Sequence, residues 1–349
     1  MTTSLSLLVL AAPSANWRFV WPRDAAFVAV GYARTGHRSD ALAVLRLLQS
    51  QQRADGAMAA RWVPDGTGRT PDEREVQEDG PGWALWAVHQ VLLTEATQDG
   101  RRAVGLQLGP LVTRSTARLL ERLEGATGLP APSPDYWEVP EDQLTLGVAA
   151  TALMGLEAAA AIATAGVVDP AQWRDADVDP AALRGHADRL RSAVVGAFGP
   201  GYPRHIGRGR VDAAVTFLGP PFLAEPLAGA AAARHRAREE MARPAGGVAP
   251  GAGWKRDGIS WTPETALLGL AAAAAGEEQR ARHWLDWLAS HRTEAGSLPE
   301  KVLHDGSPAA VAPLAWTAAL VLLTLAELEC ADPAGGCPGP PAPPGAPSG

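Results

Sequence analysis

Two glutamates in separate loops could perform acid–base chemistry together. Glu138 follows Tyr136 and Trp137, and Glu300 follows Pro299. A carboxyl group beside an indole ring is partly desolvated and can hold its proton near neutral pH, as a general acid must. A second carboxylate across a cavity could then activate water. Such a pair is the minimum machinery for hydrolysing a glycosidic bond with inversion, in which the carboxyl groups stand roughly 6.5–9.5 Å apart.

The elements that must position these glutamates are predicted to be helices. Apolar residues recur mostly at three- and four-residue spacing and strand signals are almost absent, so the chain is predicted to be all-α. The predicted helices are Ser4–Ala12, Arg23–Arg34, Ser39–Gln52, Gly82–Ala96, Leu108–Glu124, Thr145–Ala165, Ala181–Phe198, Asp212–Leu218, Leu227–Ala242, Thr262–Ala275, Glu277–His291 and Ala312–Leu328. Six hairpins made from these helices can close into two concentric rings, an (α/α)6 barrel.

Small-residue stretches and long loops support this arrangement. Ala158–Ala161 and Ala271–Ala275 would permit close helix approach in an inner ring. The two glutamates lie in the long segments Gly125–Leu144 and Arg292–Val311. Loops of this length are usually functional, so we expect both segments to contribute to a pocket at one end of the barrel.

Composition limits the classes of partner. The chain has 349 residues, of which 46% are hydrophobic, and a formal net charge of −7. No concentrated basic face is evident, which argues against a nucleic-acid partner. Tryptophan is abundant, with 12 residues against 3 Tyr and 5 Phe. An indole face suits a sugar ring as well as a hydrophobic core, and core packing is expected for most of them.

The ends of the chain are interpreted from their composition. Residues 1–330 are predicted to form one catalytic barrel, and the Pro- and Gly-rich residues 331–349 a disordered tail. The apolar run Ser4–Ala12 lacks a positively charged start and is interpreted as a helix rather than a secretory signal. We therefore expect a cytoplasmic monomer, with secretion as the alternative. Val311–Leu328 suits a buried helix better than a membrane span, so no membrane partner is expected.

Five tryptophan-containing motifs occur in a fixed order. They are Trp21-Pro22-Arg23-Asp24-Ala25, the segment Val76–Trp86, Tyr136-Trp137-Glu138, Trp261-Thr262-Pro263-Glu264, and Leu298-Pro299-Glu300-Lys301-Val302 followed by Pro313-Leu314-Ala315-Trp316. Together they resemble glycoside hydrolase family 15, the glucoamylase and glucodextranase family, from Asn16 to Glu329. The resemblance implies an (α/α)6 barrel, an inverting mechanism, and release of glucose from the non-reducing ends of α-glucans. The expected partner is an oligo- or polysaccharide substrate, and no metal or other cofactor is expected.

The resemblance also implies residue roles. Glu138 matches the general acid of the family and Glu300 its general base. Arg23 and Asp24 match the Arg-Asp pair that grips the hydroxyls of the terminal sugar. A guanidinium beside a carboxylate can supply charge-assisted donors and acceptors to a vicinal diol. From the residues alone, a salt bridge and capping role at the start of a helix is an alternative for this pair.

Further substrate-binding candidates are five tryptophans and one arginine. They are Trp21, Trp83, Trp137, Trp261, Trp316 and Arg256. Trp83 and Trp316 lie in helical patterns, where core packing is an equal alternative. Lys255 competes with Arg256 for the inward position, and spacing alone does not decide between them.

The chain departs from the family pattern at two places. Only a short segment, which begins with Pro13–Asn16, separates the first predicted helix from the Trp-x-Arg-Asp motif, where the family has a longer segment. We therefore expect one wall of the pocket to differ. Val139 stands where fungal glucoamylases have a second glutamate after the general acid, so contacts to the substrate are also expected to differ.

Other functions were weighed against these motifs. Gln51–Gly56 is similar to the repeat of terpene cyclases, but the Asp-rich motif or zinc site that their chemistry needs is missing from the sequence. Asp175–Asp179 imitates the start of a calcium loop, but Pro180 stands where the turn requires glycine. The main hypothesis is a glucoamylase-like exo-glycosidase. The alternatives are an α,α-trehalase of the same family and a catalytically inactive carbohydrate-binding relative.

Overall fold

The computed structural model describes residues 9–331, and these residues are mainly helical. The α-helices are α1 (Pro22–Arg34), α2 (Arg38–Gln51), α3 (Gly80–Thr94), α4 (Gln98–Glu121), α5 (Leu146–Thr164), α6 (Pro170–Asp175), α7 (Leu183–Phe198), α8 (Ala230–Glu240), α9 (Thr262–Ala274), α10 (Glu278–Ser290) and α11 (Ala315–Ala331). Three two-residue strands, β1 (Ser260–Trp261), β2 (Lys301–Val302) and β3 (Pro308–Ala309), form a small antiparallel sheet in that order. The predicted all-α class is confirmed.

The helices form two concentric layers. In the inner layer α1 packs on α3, α3 on α5, and α5 on the 3-10 segment Ala213–Leu218. That segment packs on α9, α9 on α11, and α11 returns to α1, which closes the ring. Helices α2, α4, α7, α8 and α10 pack against the outside of inner elements. The predicted (α/α)6 barrel is confirmed.

Ten of the twelve predicted helices occur as α-helices. The prediction for Asp212–Leu218 was wrong in type, because Ala213–Leu218 is a 3-10 helix, capped by the Asp212 carboxylate through the backbone N–H of Ala214 at 3.0 Å. Helix α6 was missed. With six residues, it is too short to show helical periodicity, and it begins after a cap in which Asp169 accepts the N–H of Ala171.

The N-terminal prediction was also wrong where it can be compared. Within Ser4–Ala12, residues 9–12 are not helical and residues 4–8 lie outside the described range. The backbone of Ala11 is instead paired with distant segments. Its N–H donates to the carbonyl of Phe19 at 3.1 Å, and its carbonyl accepts from Ala315 at 2.8 Å. The predicted disordered tail lies outside the described residues, apart from Ala331 at the end of α11.

The inner ring depends on apolar helices that approach closely. Helix α5 has a single charged residue, Glu157. Among residues 9–331 it is the helix with the length and apolarity to cross a membrane, yet 83% of its most apolar window is buried inside the fold, as befits a core helix. Gly82 of α3 faces α5, and a Cβ there would lie 2.3 Å from the carbonyl oxygen of Thr151. A side chain at Gly82 would therefore force the two helices apart.

The chain direction places all motif-bearing helix starts at one end of the barrel. An outer helix returns the chain between successive inner elements, so the inner helices run in the same direction. Helix α1 begins after Trp21, α9 after Trp261 and α11 after Leu314. Helix N-termini present unpaired N–H groups and partial positive charge. This end of the barrel therefore suits carboxylates and hydroxyl-rich ligands.

Candidate active site

A cavity of about 640 Å³ lies at the N-terminal ends of the inner helices. Its size falls within the usual range for small-molecule sites. Eight of the ten residues predicted for the site line it, namely Trp21, Arg23, Asp24, Trp137, Glu138, Trp261, Glu300 and Trp316. The N-terminal segment contributes Ala11, Asn16, Trp17 and Phe19 to the same lining, so the short segment before the Trp-x-Arg-Asp motif forms one wall.

Trp83 does not line the cavity, which corrects its prediction as a substrate-binding residue. Its side chain is fully buried in the aromatic core, with ring centroids 5.1 Å from Phe27 and 5.0 Å from Phe217. Its indole N–H donates to the Asp79 carboxylate at 3.1 Å. The core-packing alternative for Trp83 is therefore the one that the structure shows.

Arg256 also lies outside the cavity lining, and its side chain is exposed. An exposed guanidinium keeps its hydration, so nothing draws it inward. The neighbouring Trp254 points the other way, with its ring edge-on to Trp137 at 4.8 Å and to Trp261 at 5.7 Å between centroids. This segment supports the cavity wall through an indole rather than through Arg256.

Glu138 is held in the cavity from three sides. The indole N–H of Trp21 donates to Oε1 at 2.6 Å, and Arg74 donates to Oε2. The Nη2 atom of Arg23 lies 3.7 Å from Oε1. The backbone of Glu138 is left-handed, with φ of 55°, and its N–H donates to the carbonyl of Asp135 at 2.8 Å. This strained turn directs the carboxyl group toward the cavity.

A buried arginine anchors the loop that carries Glu138. Arg204 donates to Asp135 at 2.9 Å, to Glu141 at 2.7 Å and to Asp212 at 2.8 Å. Its guanidinium lies 3.7 Å from the ring centroid of Trp137. Because both Asp135 and Asp212 are buried, their charges need this partner. The network fixes the loop, and with it Glu138.

The small sheet positions Glu300. The backbone N–H of Glu300 donates to Val311 at 2.8 Å, and its carbonyl accepts from Thr262, the first residue of α9, at 3.0 Å. Lys301 places its Nζ 3.5 Å from Oε2 of Glu300 and 4.2 Å from the ring centroid of Trp261. Burial raises the pKa of Glu300 above its ordinary value, and the Lys301 charge opposes that rise.

Arg23 and Asp24 lie side by side at the start of α1. Arg23 Nη2 is 3.3 Å from Asp24 Oδ2, and the guanidinium lies 4.4 Å from the ring centroid of Trp316. Burial raises the pKa of Asp24 to about 6, against the lowering effect of Arg23. Both residues line the cavity, so the pair faces the site and is also salt-bridged at a helix start.

Nine of the nineteen buried polar side-chain atoms without a hydrogen bond among the described residues belong to residues that line this cavity. They include Nε and Nη1 of Arg23, Oε2 of Glu264, and the indole N–H groups of Trp137, Trp261 and Trp316. Buried polar groups normally find partners, because an unmade hydrogen bond costs about 1–3 kcal/mol. A set of inward-facing donors and acceptors suits a ligand with many hydroxyl groups.

Two cavity residues near Glu138 or Glu300, namely Arg74 and Glu264, were not predicted as site residues. Glu264 belongs to the Trp261-Thr262-Pro263-Glu264 motif, but no role was predicted for it. Arg74 lies in a loop with no recognisable pattern, 64 residues from Glu138, so no spacing signal could have joined them. Within residues 9–331, no group of three or more His, Cys, Asp or Glu side chains is arranged to hold a metal ion.

Comparisons with known proteins agree with this architecture. No family model matches the chain. It is 28% identical to an isomaltose glucohydrolase from Kribbella flavida, over 93% of this chain and 89% of the relative. A glycosidase variant solved in complex with glucose is 20% identical, with a TM-score of 0.74 over 93% of this chain and 92% of its own.

A glucoamylase from Saccharomycopsis fibuligera is 15% identical, with a TM-score of 0.70 over 94% of this chain and 90% of its own. These structural likenesses show the fold, and the isomaltose glucohydrolase extends the likeness to sequence over nearly the whole chain. The fold is that of the glucoamylase-type (α/α)6 barrel, and the resemblance to glycoside hydrolase family 15 that the motifs indicated is confirmed.

Proposed function

We propose that this protein is an inverting, exo-acting glycoside hydrolase that releases glucose from the non-reducing ends of α-glucosides. The observation that carries the proposal is one cavity lined by Glu138, Glu300 and the Arg23–Asp24 pair. The similarity to an isomaltose glucohydrolase supports the same reaction class and makes isomaltose the first substrate to test. The comparisons do not favour a trehalase or an inactive relative.

Glu138 is proposed as the general acid. Its proton would pass to the glycosidic oxygen as the bond from that oxygen to the anomeric carbon breaks. Oε1 of Glu138 accepts a hydrogen bond from the indole of Trp21, and Oε2 accepts one from Arg74. The Arg74 side chain is 38% exposed. A leaving group that reaches Oε2 must displace this guanidinium. Arg74 therefore lies where the departing alcohol is expected.

Glu300 is proposed as the general base. It would take a proton from the water that attacks the anomeric carbon opposite the leaving group, so that an α-glucoside yields β-glucose. Burial raises the pKa of Glu300, which makes its carboxylate a stronger base, and Lys301 helps to keep it ionised. Both effects suit deprotonation of water.

Arg23 and Asp24 are proposed to bind the terminal sugar. Arg23 keeps Nε and Nη1 free of hydrogen bonds among the described residues, so they can donate to sugar oxygens. Asp24 supplies acceptors beside them. The Trp316 ring under the guanidinium limits its movement and offers an apolar face.

An NMR time course of the anomeric protons tests the proposal. Purified protein is incubated in parallel with isomaltose, maltotriose and α,α-trehalose. From isomaltose we expect β-glucose in excess of its equilibrium share, because the reducing-end glucose is released as the mixture of anomers it already is. We expect Glu138→Gln to lower kcat by about 10²–10⁴-fold. Glu294→Gln, which changes an exposed glutamate outside the cavity lining, serves as the control and should leave kcat unchanged.

The other outcomes are equally informative. An early excess of α-glucose over its equilibrium share, from isomaltose or maltotriose, would contradict inversion, and turnover of trehalose alone would favour the trehalase alternative. A folded protein that binds glucose but hydrolyses none of the three would indicate an inactive relative.

A further inference from the structure

Glu264 is a buried acid in the cavity. It belongs neither to the proposed acid–base pair nor to the Arg23–Asp24 pair, so it has no role in the proposed function. It lies in the first turn of α9, is 3% exposed, and lines the cavity. Its Oε2 atom forms no hydrogen bond with any described residue. A polar side chain this deeply buried normally has a partner. The space beside Glu264 from which a partner could come is the cavity in which the sugar is proposed to bind.

The charges around Glu264 do not neutralise it. Arg23, on α1, pairs with Asp24 and Glu138, and Lys301, on β2, pairs with Glu300. No basic side chain in the described range forms an ion pair with Glu264. An ionised carboxylate without a partner is costly to bury, and the negative charge of Glu300 adds to that cost. Protonation removes both costs.

We propose that Glu264 binds the terminal glucosyl unit as an un-ionised acid, donating its O–H to a sugar oxygen. This inference rests on the proposed function and adds a residue to its binding site. A protonated carboxyl group has one donor and can still accept, whereas a carboxylate can only accept. Glu264 would thus complement Asp24, which supplies acceptors next to Arg23.

The neutral form of Glu264 also helps Glu300 to act as the proposed base. A second negative charge near Glu300 would favour protonation of Glu300 and weaken it as a base. Burial raises the pKa of Glu264 to about 8, with Arg23 and Lys301 opposing the rise and Glu300 adding to it. The Tyr136 hydroxyl, which also interacts with Glu264, has a pKa raised well above its ordinary value by burial, so it stays neutral. Asp24, in the same cavity, has a pKa of about 6 and loses its proton at lower pH than Glu264.

Two variants separate hydrogen bonding from charge. Glu264→Gln keeps the shape and a donor and is neutral at every pH, whereas Glu264→Met keeps the approximate volume without a donor. Glucose binding is measured by calorimetry at pH 6.5 and pH 9 for the wild type, both variants and the control Glu294→Gln. Thermal unfolding of each protein confirms that it is folded.

At pH 6.5 we expect Glu264→Gln to bind glucose within about threefold of the wild type and Glu264→Met to bind about 10–100-fold more weakly. Between pH 6.5 and pH 9 the wild type should lose about tenfold in affinity relative to Glu264→Gln. An infrared difference spectrum, wild type minus Glu264→Gln, should show a protonated carboxyl band at pH 6.5 that disappears by pH 9 and shifts when glucose is added.

Several results would overturn the inference. Wild-type affinity in folded Glu264→Met would show that the donor is not needed, and weak binding by folded Glu264→Gln would show that a neutral donor is not enough. If Glu264→Met does not fold, absence of the protonated band at pH 6.5 in the wild type still refutes the inference. A wild type that hydrolyses isomaltose and binds glucose separates these failures from that of the proposed function, in which the wild type hydrolyses none of the three substrates.

Discussion

At the scale of single residues, the ionisation of Glu300 depends on its neighbour Lys301. Lys301→Met should raise the pKa of Glu300, because burial raises it already and Lys301 opposes that rise. A base works only when ionised, so kcat/KM falls as the pH drops through this pKa. We expect the acidic limb of the profile of kcat/KM against pH to move upward by about one pH unit.

The chain offers a matched control for this prediction. Lys255 is the chain's other lysine and also lies over an indole, 5.7 Å from the ring centroid of Trp254, but the lysine beside Glu300 is Lys301. Lys255→Met should leave the acidic limb in place. If Lys301→Met lowered kcat/KM equally at every pH, Lys301 would act by packing on Trp261 rather than through its charge.

At the scale of helices, the close contact between α3 and α5 limits the size of the side chains that the inner ring can accommodate. Gly82→Ala should lower the free energy of unfolding by about 1–3 kcal/mol, because the added Cβ would meet the carbonyl of Thr151 at 2.3 Å. Chemical denaturation measures the change. Gly196→Ala, in α7, is the control.

Gly196 has no atom within 4 Å of an added Cβ. Alanine there should stabilise the protein by about 0.5–1 kcal/mol, the usual gain over glycine within a helix. Equal effects at the two positions would mean that α3 and α5 adjust freely, which would contradict a tightly packed inner ring.

At the scale of the whole molecule, buried acids should make stability fall as the pH rises. Burial raises the pKa of Asp24 and of Asp79 to about 6, and that of Glu264 to about 8. The unfolded chain loses these protons first, near the ordinary pKa values of 3.8 for Asp and 4.5 for Glu. The free energy of unfolding should therefore decrease between about pH 4 and pH 8, by at most about 1.4 kcal/mol per pH unit for each group.

Asp79→Asn isolates one of these contributions, since Asp79 does not line the cavity. Urea denaturation at pH 4.5, 6 and 8 should show a shallower fall below pH 6 in this variant than in the wild type. Asp142→Asn, at an exposed position, should leave the slope unchanged. An unchanged slope in Asp79→Asn would mean that Asp79 is ionised in the folded protein.

Also at the scale of the whole molecule, the cytoplasmic location and the monomeric state stay predictions.

The sequence by itself determined the helical rings and most of the site. Helical periodicity and helix-start patterns are local, and the ordered motifs place Glu138, Glu300 and the Arg23–Asp24 pair at helix starts and loops that a barrel brings to one end. Tertiary structure alone decided which side chains pair across the fold. It put Trp83 in the aromatic core, Arg74 and Trp21 on Glu138, and Arg204 among three acids. It also left Oε2 of Glu264 without a hydrogen bond among the described residues. Burial and pairing arise from residues distant in the chain, whose contacts no local spacing records.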